Sequence, residues 1–322
     1  MTKVDPIEQA LNVIGELRTT NDAQLIEAQL RAFLKNRSNL VVAKAAKLAG
    51  ELHLALIAEL TTAYERLMTN PAKLDKRCAA TTEIAIALYE LDYTEPEVYL
   101  RGIRLVQKEA SFGPPVDVAA KLRGICAQGL LRTSSAEAMA MVVDLLADPE
   151  PPARLGAIRA LALNGGEAGV LLLRLKALTG DDDPEIMAEC LSALMSSAPE
   201  QSLPFVAAYM DDEDEAVAEA AIWALGQSRQ PPAVQALKEK WERTIDRSMR
   251  KTLVAALASS RLEEATAFLC LQLSITDAET AEEIVTSLST YSSNDAVRRA
   301  VGTAVEERGD QNVSALFHQR FA

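Results

Sequence analysis

Apolar residues recur along this chain at helical spacing, and the recurring pattern itself repeats. The stretch from Val217 to Gly226 reads Val-Ala-Glu-Ala-Ala-Ile-Trp-Ala-Leu-Gly. Four segments beginning at Ala153, Ile186, Met249 and Thr280 align with it over ten positions without gaps. One column holds the small residues Ala160, Ala193, Ala224, Ala256 and Ser287, and the next holds leucines 161, 194, 225, 257 and 288. Successive leucines stand 33, 31, 32 and 31 residues apart. Looser copies precede them at Gly129-Leu130, Ala87-Leu88 and Ala49-Gly50.

Each copy predicts a pair of helices. The first helices fall near 39–51, 76–91, 116–131, 152–163, 184–196, 215–228, 246–259 and 278–290. The second helices fall near 54–69, 96–110, 135–147, 166–178, 201–210, 232–243, 262–274 and 294–308, with a last segment at 311–321. Breakers such as Pro71, Pro96, Pro114-Pro115, Pro151-Pro152, Gly165-Gly166, Pro184 and Pro231-Pro232 punctuate them. Within a first helix, Val217, Ala221, Ala224 and Leu225 share one face, and the column Ile158, Leu191, Ile222, Val254 and Val285 lies on a neighbouring face. A helix with two apolar flanks needs cover on both, from its own partner and from the next repeat, which is the sequence signature of a solenoid. The expectation is an all-α chain of about nine helical hairpins. It would be a single elongated solenoid over 1–322, with an N-terminal capping hairpin (1–38), longer irregular repeats (39–147), regular repeats (148–310) and a C-terminal cap (311–322).

At these residues the chain resembles HEAT-like repeat proteins, particularly a bacterial type also found in phycobilisome lyase subunits. That type carries Asp-x-x-x-x-Val-Arg-x-x-Ala-Ala-x-Ala-Leu-Gly. Asp212 through Gly226 follows it except for Ala218 in the Arg place, which Arg123, Arg154 and Arg250 fill in other copies. The early repeat Asn39-Leu40-Val41-Val42-Ala43-Lys44-Ala45-Ala46 is similar to bacterial HEAT-repeat proteins of unassigned function. The resemblance implies a right-handed alpha-alpha superhelix of the HEAT-like, armadillo type. It also implies protein binding as the commonest role, with chromophore attachment or nucleic-acid binding in a few relatives.

Composition changes this picture little. The 322 residues are 49% hydrophobic but only 4% aromatic, as Ala/Leu-rich helices would be. The formal charge of −13 is uneven: residues 1–160 carry a net −1 and residues 161–322 a net −12. An acidic second half disfavours nucleic acid and anionic lipid as partners. No run approaches the roughly 18–20 apolar residues of a membrane span. The start, Met1-Thr2-Lys3-Val4-Asp5-Pro6, lacks a secretory pattern, so the expected location is the cytoplasm.

Candidate chemistry is sparse. His53 and His318 are the two histidines, and neither belongs to a metal or hydrolase motif. Cys78, Cys126, Cys190 and Cys270 form no CxxC pair and read as buried, reduced thiols. The acidic clusters 181–185 and 211–215 precede first helices and read as helix caps rather than calcium loops. Gly165-Gly166-Glu167-Ala168-Gly169 follows a helix and reads as a turn, not a phosphate cradle.

A cationic groove is the alternative to an ordinary solvated face. Arg101, Arg104 and Lys108 are expected on one face of a second helix, with Arg174, Lys176, Lys238, Lys240 and Arg243 on later ones. Trp241 reads as core, while Trp223 shares a column with Arg159, Ser192, Ala255 and Thr286 and is a candidate interface anchor. The function expected is a non-enzymatic scaffold that binds a protein or peptide, with no catalytic residues, cofactor or metal. The alternatives are a bilin lyase or lyase subunit, from the resemblance, and a HEAT-like DNA-lesion binder, disfavoured by charge.

Overall fold

The computed structural model describes residues 5–321. Met1–Val4 and Ala322 lie outside the described residues, and with them most of the stretch read for a secretory signal and the outermost residues of the two expected caps. The chain forms an all-α solenoid in two compact units, residues 1–172 and 173–322. In chain order the helices follow one another as the repeat pattern predicts.

The first unit contains α1 (Pro6–Leu17), α2 (Ala23–Phe33), α3 (Asn39–Glu51), α4 (Ile57–Met68), a single turn α5 (Pro71–Leu74), α6 (Ala79–Glu90) and α7 (Pro96–Ile103). A two-stranded ribbon follows, β1 (Lys108–Glu109) and β2 (Val116–Asp117), and then α8 (Ala120–Leu131), α9 (Ala138–Leu146) and α10 (Pro151–Asn164). Here α1, α3, α6, α8 and α10 stack in succession, while α2, α4, α7 and α9 each pack against the next first helix.

Helix α11 (Gly166–Thr179) runs through the boundary, and the second unit continues with α12 (Pro184–Ser197), α13 (Pro199–Ala208), α14 (Glu215–Gln227), α15 (Pro231–Arg243) and α16 (Arg247–Ser259). It ends with α17 (Glu263–Ile275), α18 (Ala278–Ser289), α19 (Asp295–Arg308) and α20 (Gln311–Arg320). There α12, α14, α16, α18 and α20 form the stack, so α20 occupies the place of a further first helix.

The repeat columns are the core. The leucines at 161, 194, 225, 257 and 288 are buried, as are Ile158, Leu191, Ile222, Val254 and Val285. Glycines on the first helices let backbones approach to contact. A Cβ on Gly156 would sit 2.1 Å from the Cα of Gly124, and one on Gly226 would sit 2.4 Å from the carbonyl oxygen of Ala256. No larger side chain fits there, so the helix spacing is set by the backbones themselves.

The acidic clusters cap helices as expected. Asp183 Oδ1 accepts from Glu185 N at 2.9 Å at the start of α12, and Asp214 Oδ1 accepts from Ala216 N at 2.9 Å at the start of α14. Cys78, Cys126 and Cys190 are buried free thiols, but Cys270 is only half-buried. Burial pushes the Cys78 and Cys190 thiols up to about 12 and Cys270 to about 11.

One stretch departs from the expected helices. The second helix expected to reach residue 110 stops at Ile103, and the first helix expected from 116 starts at Ala120. The backbone carbonyl of Leu105 is taken by Arg123 Nη1 at 2.8 Å, and the amide of Gln107 by Asp117 Oδ1 at 3.0 Å. Once side chains claim these groups, the helix cannot continue, and Gly113-Pro114-Pro115 turns the chain back.

The packing predicts that a methyl group is already too much at the tightest crossing. Gly156→Ala and Ala224→Leu are each expected to destabilise by ~1–3 kcal/mol. Thermal melts should show a lowered Tm for both, and an unchanged Tm would contradict backbone-to-backbone stacking.

Candidate functional site

A helix leaves its last carbonyls unpaired and partly negative, so a cation on the following repeat finds an acceptor there. This governs where the expected cationic residues go. Arg101, on α7, donates from Nη2 to the Met68 carbonyl at the end of α4, 3.3 Å away. Arg66 does the same to Leu34 at 3.1 Å, one repeat earlier. Arg104 caps α7 and pairs with Glu137. In the second unit, Lys240 Nζ lies 2.7 Å from Asp211 Oδ1, and Arg243 lies 3.9 Å from the other oxygen. The hydrogen bond from Lys240 is the main reason Asp211 titrates below the usual carboxylate value.

Lys176 pairs with Asp181 at 2.8 Å in a largely buried contact. Two more cations lie over aromatic rings: Arg174 is 4.1 Å from the Phe205 centroid and Lys238 is 5.6 Å from that of Phe268. Structure therefore brings Lys240 and Arg243 together around one carboxylate. It does not put Lys108 on a helical face with Arg101 and Arg104, because Lys108 lies on β1, opposite Asp117. Trp241 is core, donating from Nε1 to Gln272 Oε1 at 3.2 Å and meeting Phe268 edge-on. Trp223 is 38% exposed on the outer side of α14.

The most concentrated polar chemistry lies beneath the ribbon, where the sequence pattern pointed to continuous helix. Arg123 is 3% exposed, yet its guanidinium makes a bidentate pair with Asp148, both bonds 2.9 Å, and a third contact with Asp117 at 2.7 Å. Asp117 also receives the Ala119 and Gln107 amides, each at 3.0 Å. Burial alone would raise the Asp117 carboxyl, but the Ala119 amide, Arg123 and the Gln107 amide together hold it below its ordinary 3.8. Arg123 is penalised by burial too, and its bonds to Asp148 and Asp117 outweigh this and raise it.

Deeper in, the fully buried Asp75 accepts from the Ala80 amide at 2.9 Å, from the Thr81 amide at 2.8 Å and hydroxyl at 2.7 Å, and from Asn39 Nδ2 at 2.9 Å. Gln107 Nε2 ties the two halves together by donating to the Asp75 carbonyl and to Glu109 Oε1 at 3.0 and 2.8 Å. A bond from the Arg77 amide is the main cause of a lowered Glu109 carboxyl. The sequence signal was present as spacing: Asp117 to Arg123 repeats as Asp148 to Arg154, six residues apart in both. That spacing says an Asp caps a helix whose next turn carries an Arg. It does not say that the Arg reaches the following repeat's Asp.

The carboxylates and Arg123 in this cluster bond backbone or one another, Gln107 Oε1 is buried without a hydrogen-bond partner, and among the described residues no group of three or more His, Cys, Asp or Glu side chains is placed to hold a metal ion. The assembly can fix loops rigidly.

A family profile described as HEAT repeats matches residues 171–258. Over these residues the chain is similar to HEAT repeats. The match spans regular copies of the second unit, whose columns are those already described. Among solved structures, a crystal structure of an engineered protein, determined as a structural-genomics target, is 18% identical, with 99% of this chain and 95% of that one covered at a TM-score of 0.37. No curated protein matches significantly. Arg123, at the position that Arg154 and Arg250 hold in later copies, staples Asp117 to Asp148 of the following repeat.

Asp117→Ala would leave Arg123 buried with one carboxylate fewer and free two amides. The expected loss is ~3–5 kcal/mol in urea unfolding. The sign with pH follows from the lowered carboxyl. Its stabilisation is complete above the ordinary 3.8 and disappears as pH falls through the lower folded value. The wild type should therefore lose stability in that acid window more steeply than the variant, and parallel stability–pH curves would contradict this assignment.

Proposed function

We propose that this HEAT-like protein is a non-enzymatic scaffold that binds a partner protein along the second unit. The observation that carries the reading is the apolar surface left on its second helices. On α17, Leu271 and Ile275 stand one turn apart at 57% and 67% exposure, and on α11 Leu175 and Leu178 are likewise exposed. Trp223 adds a half-exposed aromatic on α14, the kind of side chain that anchors interfaces. Burying such side chains against a partner yields about 1.5–3 kcal/mol for each one fully covered.

The cations Arg174, Lys176, Lys238, Lys240 and Arg243 join such a surface mainly by holding repeats in register, since each already has a partner within the chain, and Arg101 and Arg104 on the first unit are likewise paired. Lys108 is exposed on β1 of the first unit. The net −12 of residues 161–322 favours a partner with basic residues around an apolar centre. Nucleic acid fits this surface poorly. Among the described residues no helix is long and apolar enough to cross a membrane, and our reading places the scaffold in the cytoplasm.

The resemblance to the bacterial, phycobilisome-lyase type of HEAT protein rests on Asp212–Gly226 and brings no partner with it. No geometric feature favours the bilin-lyase or DNA-lesion readings over the scaffold.

The test is affinity capture with the full chain and with Leu271→Arg/Ile275→Arg. These side chains are exposed, so the double variant should keep its Tm and lose at least ~10-fold of the protein retained by the wild type. Equal retention by the two chains would overturn this surface as the docking face.

A further inference from the structure

Residues 75–78, bonded to the first-unit ribbon, hold a backbone that their own sequence does not favour. Arg77 (φ 62°, ψ 16°) and Cys78 (φ 49°, ψ 32°) are both left-handed, in a single 3-10 turn ahead of α6. The other non-glycine residues with positive φ among the described ones are His53, Asp92, Arg229 and Arg261, and each stands two residues beyond the end of a first helix. Helices commonly end on such a residue. Arg77 and Cys78 instead precede a helix and are consecutive, and the conformation is sterically costly for each. The local sequence, Asp-Lys-Arg-Cys-Ala-Ala, offers strong helix formers after a preferred N-cap. Its pattern predicts a helix from residue 76, yet α6 begins at Ala79.

The groups that such a helix needs are already taken. Gln107 Nε2 donates to the Asp75 carbonyl at 3.0 Å and Asn39 Nδ2 to the Lys76 carbonyl at 2.9 Å. The Arg77 amide donates to Glu109 Oε1 at 2.7 Å. In a helix starting at Lys76 those two carbonyls would accept from the Ala79 and Ala80 amides, and the Asp75 side chain would cap the first-turn amides. That carboxylate now caps the Ala80 and Thr81 amides at 2.9 and 2.8 Å, so one residue can serve either helix start. The turn as held also leaves Gln107, 4% exposed, with an Oε1 that has no hydrogen-bond partner. Two left-handed residues and an unpaired buried carbonyl oxygen thus meet at one point, where tertiary bonds oppose local preference.

We propose that residues 75–78 are a two-state switch. In one state α6 starts at Ala79; in the other it extends back by one turn to Lys76 with Asp75 as its N-cap. Docking of the ribbon through Glu109 and Gln107 selects the first state. Because α6 stacks between α3 and α8, the switch couples a surface ribbon to the core of the first unit. It requires no partner protein and so stands apart from the scaffold reading.

The experiment uses the full chain with 13C-carbonyl arginine and 15N-cysteine. Arg77-Cys78 is the single Arg-Cys pair in the sequence, so one carbonyl-edited amide signal reports Cys78. Its intraresidue amide–Hα cross-peak is strong when φ is positive, which brings the two protons close, and weak in a right-handed helix. Wild type should give the strong peak. Glu109→Ala should give the weak one, and Glu109→Gln, which keeps an acceptor for the Arg77 amide, should match wild type. Glu109→Ala/Arg77→Gly, labelled with 13C-glycine, should recover the strong peak, because glycine accepts positive φ and disfavours helix. The ribbon should respond in turn: Arg77→Gly removes one strained residue and should slow exchange of the Val118 amide, which bonds the Gln107 carbonyl, by ~10-fold.

A strong peak retained in Glu109→Ala would overturn selection by the ribbon. A weak peak that Arg77→Gly fails to restore would show a melted segment and overturn the second state. Unchanged Val118 exchange in Arg77→Gly would overturn the coupling. Glu109 is half-buried on β1, so its variants should fold; should Glu109→Ala not fold, the exchange measurement on Arg77→Gly decides alone.

Discussion

Contact between backbones of consecutive first helices is the constraint on which both units depend. Where Gly156 meets Gly124 there is no room for a methyl group, and Gly226 lies equally close to the Ala256 carbonyl in the second unit. Close approach brings the leucine and β-branched columns of neighbouring repeats into register, so one set of side chains buries against two helices at once. It also explains the composition. A chain that stacks helices through Ala and Gly has few places for large rings, and most of its aromatic residues lie against second helices or caps.

That spacing determines the fate of the charges. With repeats about one helix diameter apart, an Arg or Lys reaches the carbonyl end or the acid of its neighbour without strain. Arg66, Arg101 and Arg308 all bond carbonyls some 32–35 residues earlier in the chain. Such contacts are individually modest at the surface. They matter through repetition, and they consume cations that a linear reading would assign to a binding groove. The buried Arg123 is the extreme case: it holds two carboxylates and a carbonyl and so converts a helix into an anchored ribbon.

Several large apolar side chains remain outward after these internal demands. Exposed leucines on second helices, Trp223 and Phe112 are among them. They occupy separate places, one group within the second unit and one on the first-unit ribbon, so each can be substituted without touching the other.

The sequence by itself determined the helical repeat, its length and the identity of the core columns. Leu225, Ile222 and Ala224 are legible because a 3.6-residue period and a 31–33-residue period both mark them. It also identified the acidic clusters as caps, since Asp before a Pro- or Glu-led helix start satisfies free amides locally. The tertiary structure decided what depends on contacts distant in sequence. Lys108 left the helix because Asp117 and Arg123, ten and more residues away, claim the backbone at 105–107. Lys240 became a partner of Asp211 across 29 residues. Periodicity reports which face a residue occupies on its own helix. Only the packing of the next repeat says whether a polar side chain on that face meets water, a carbonyl or a carboxylate.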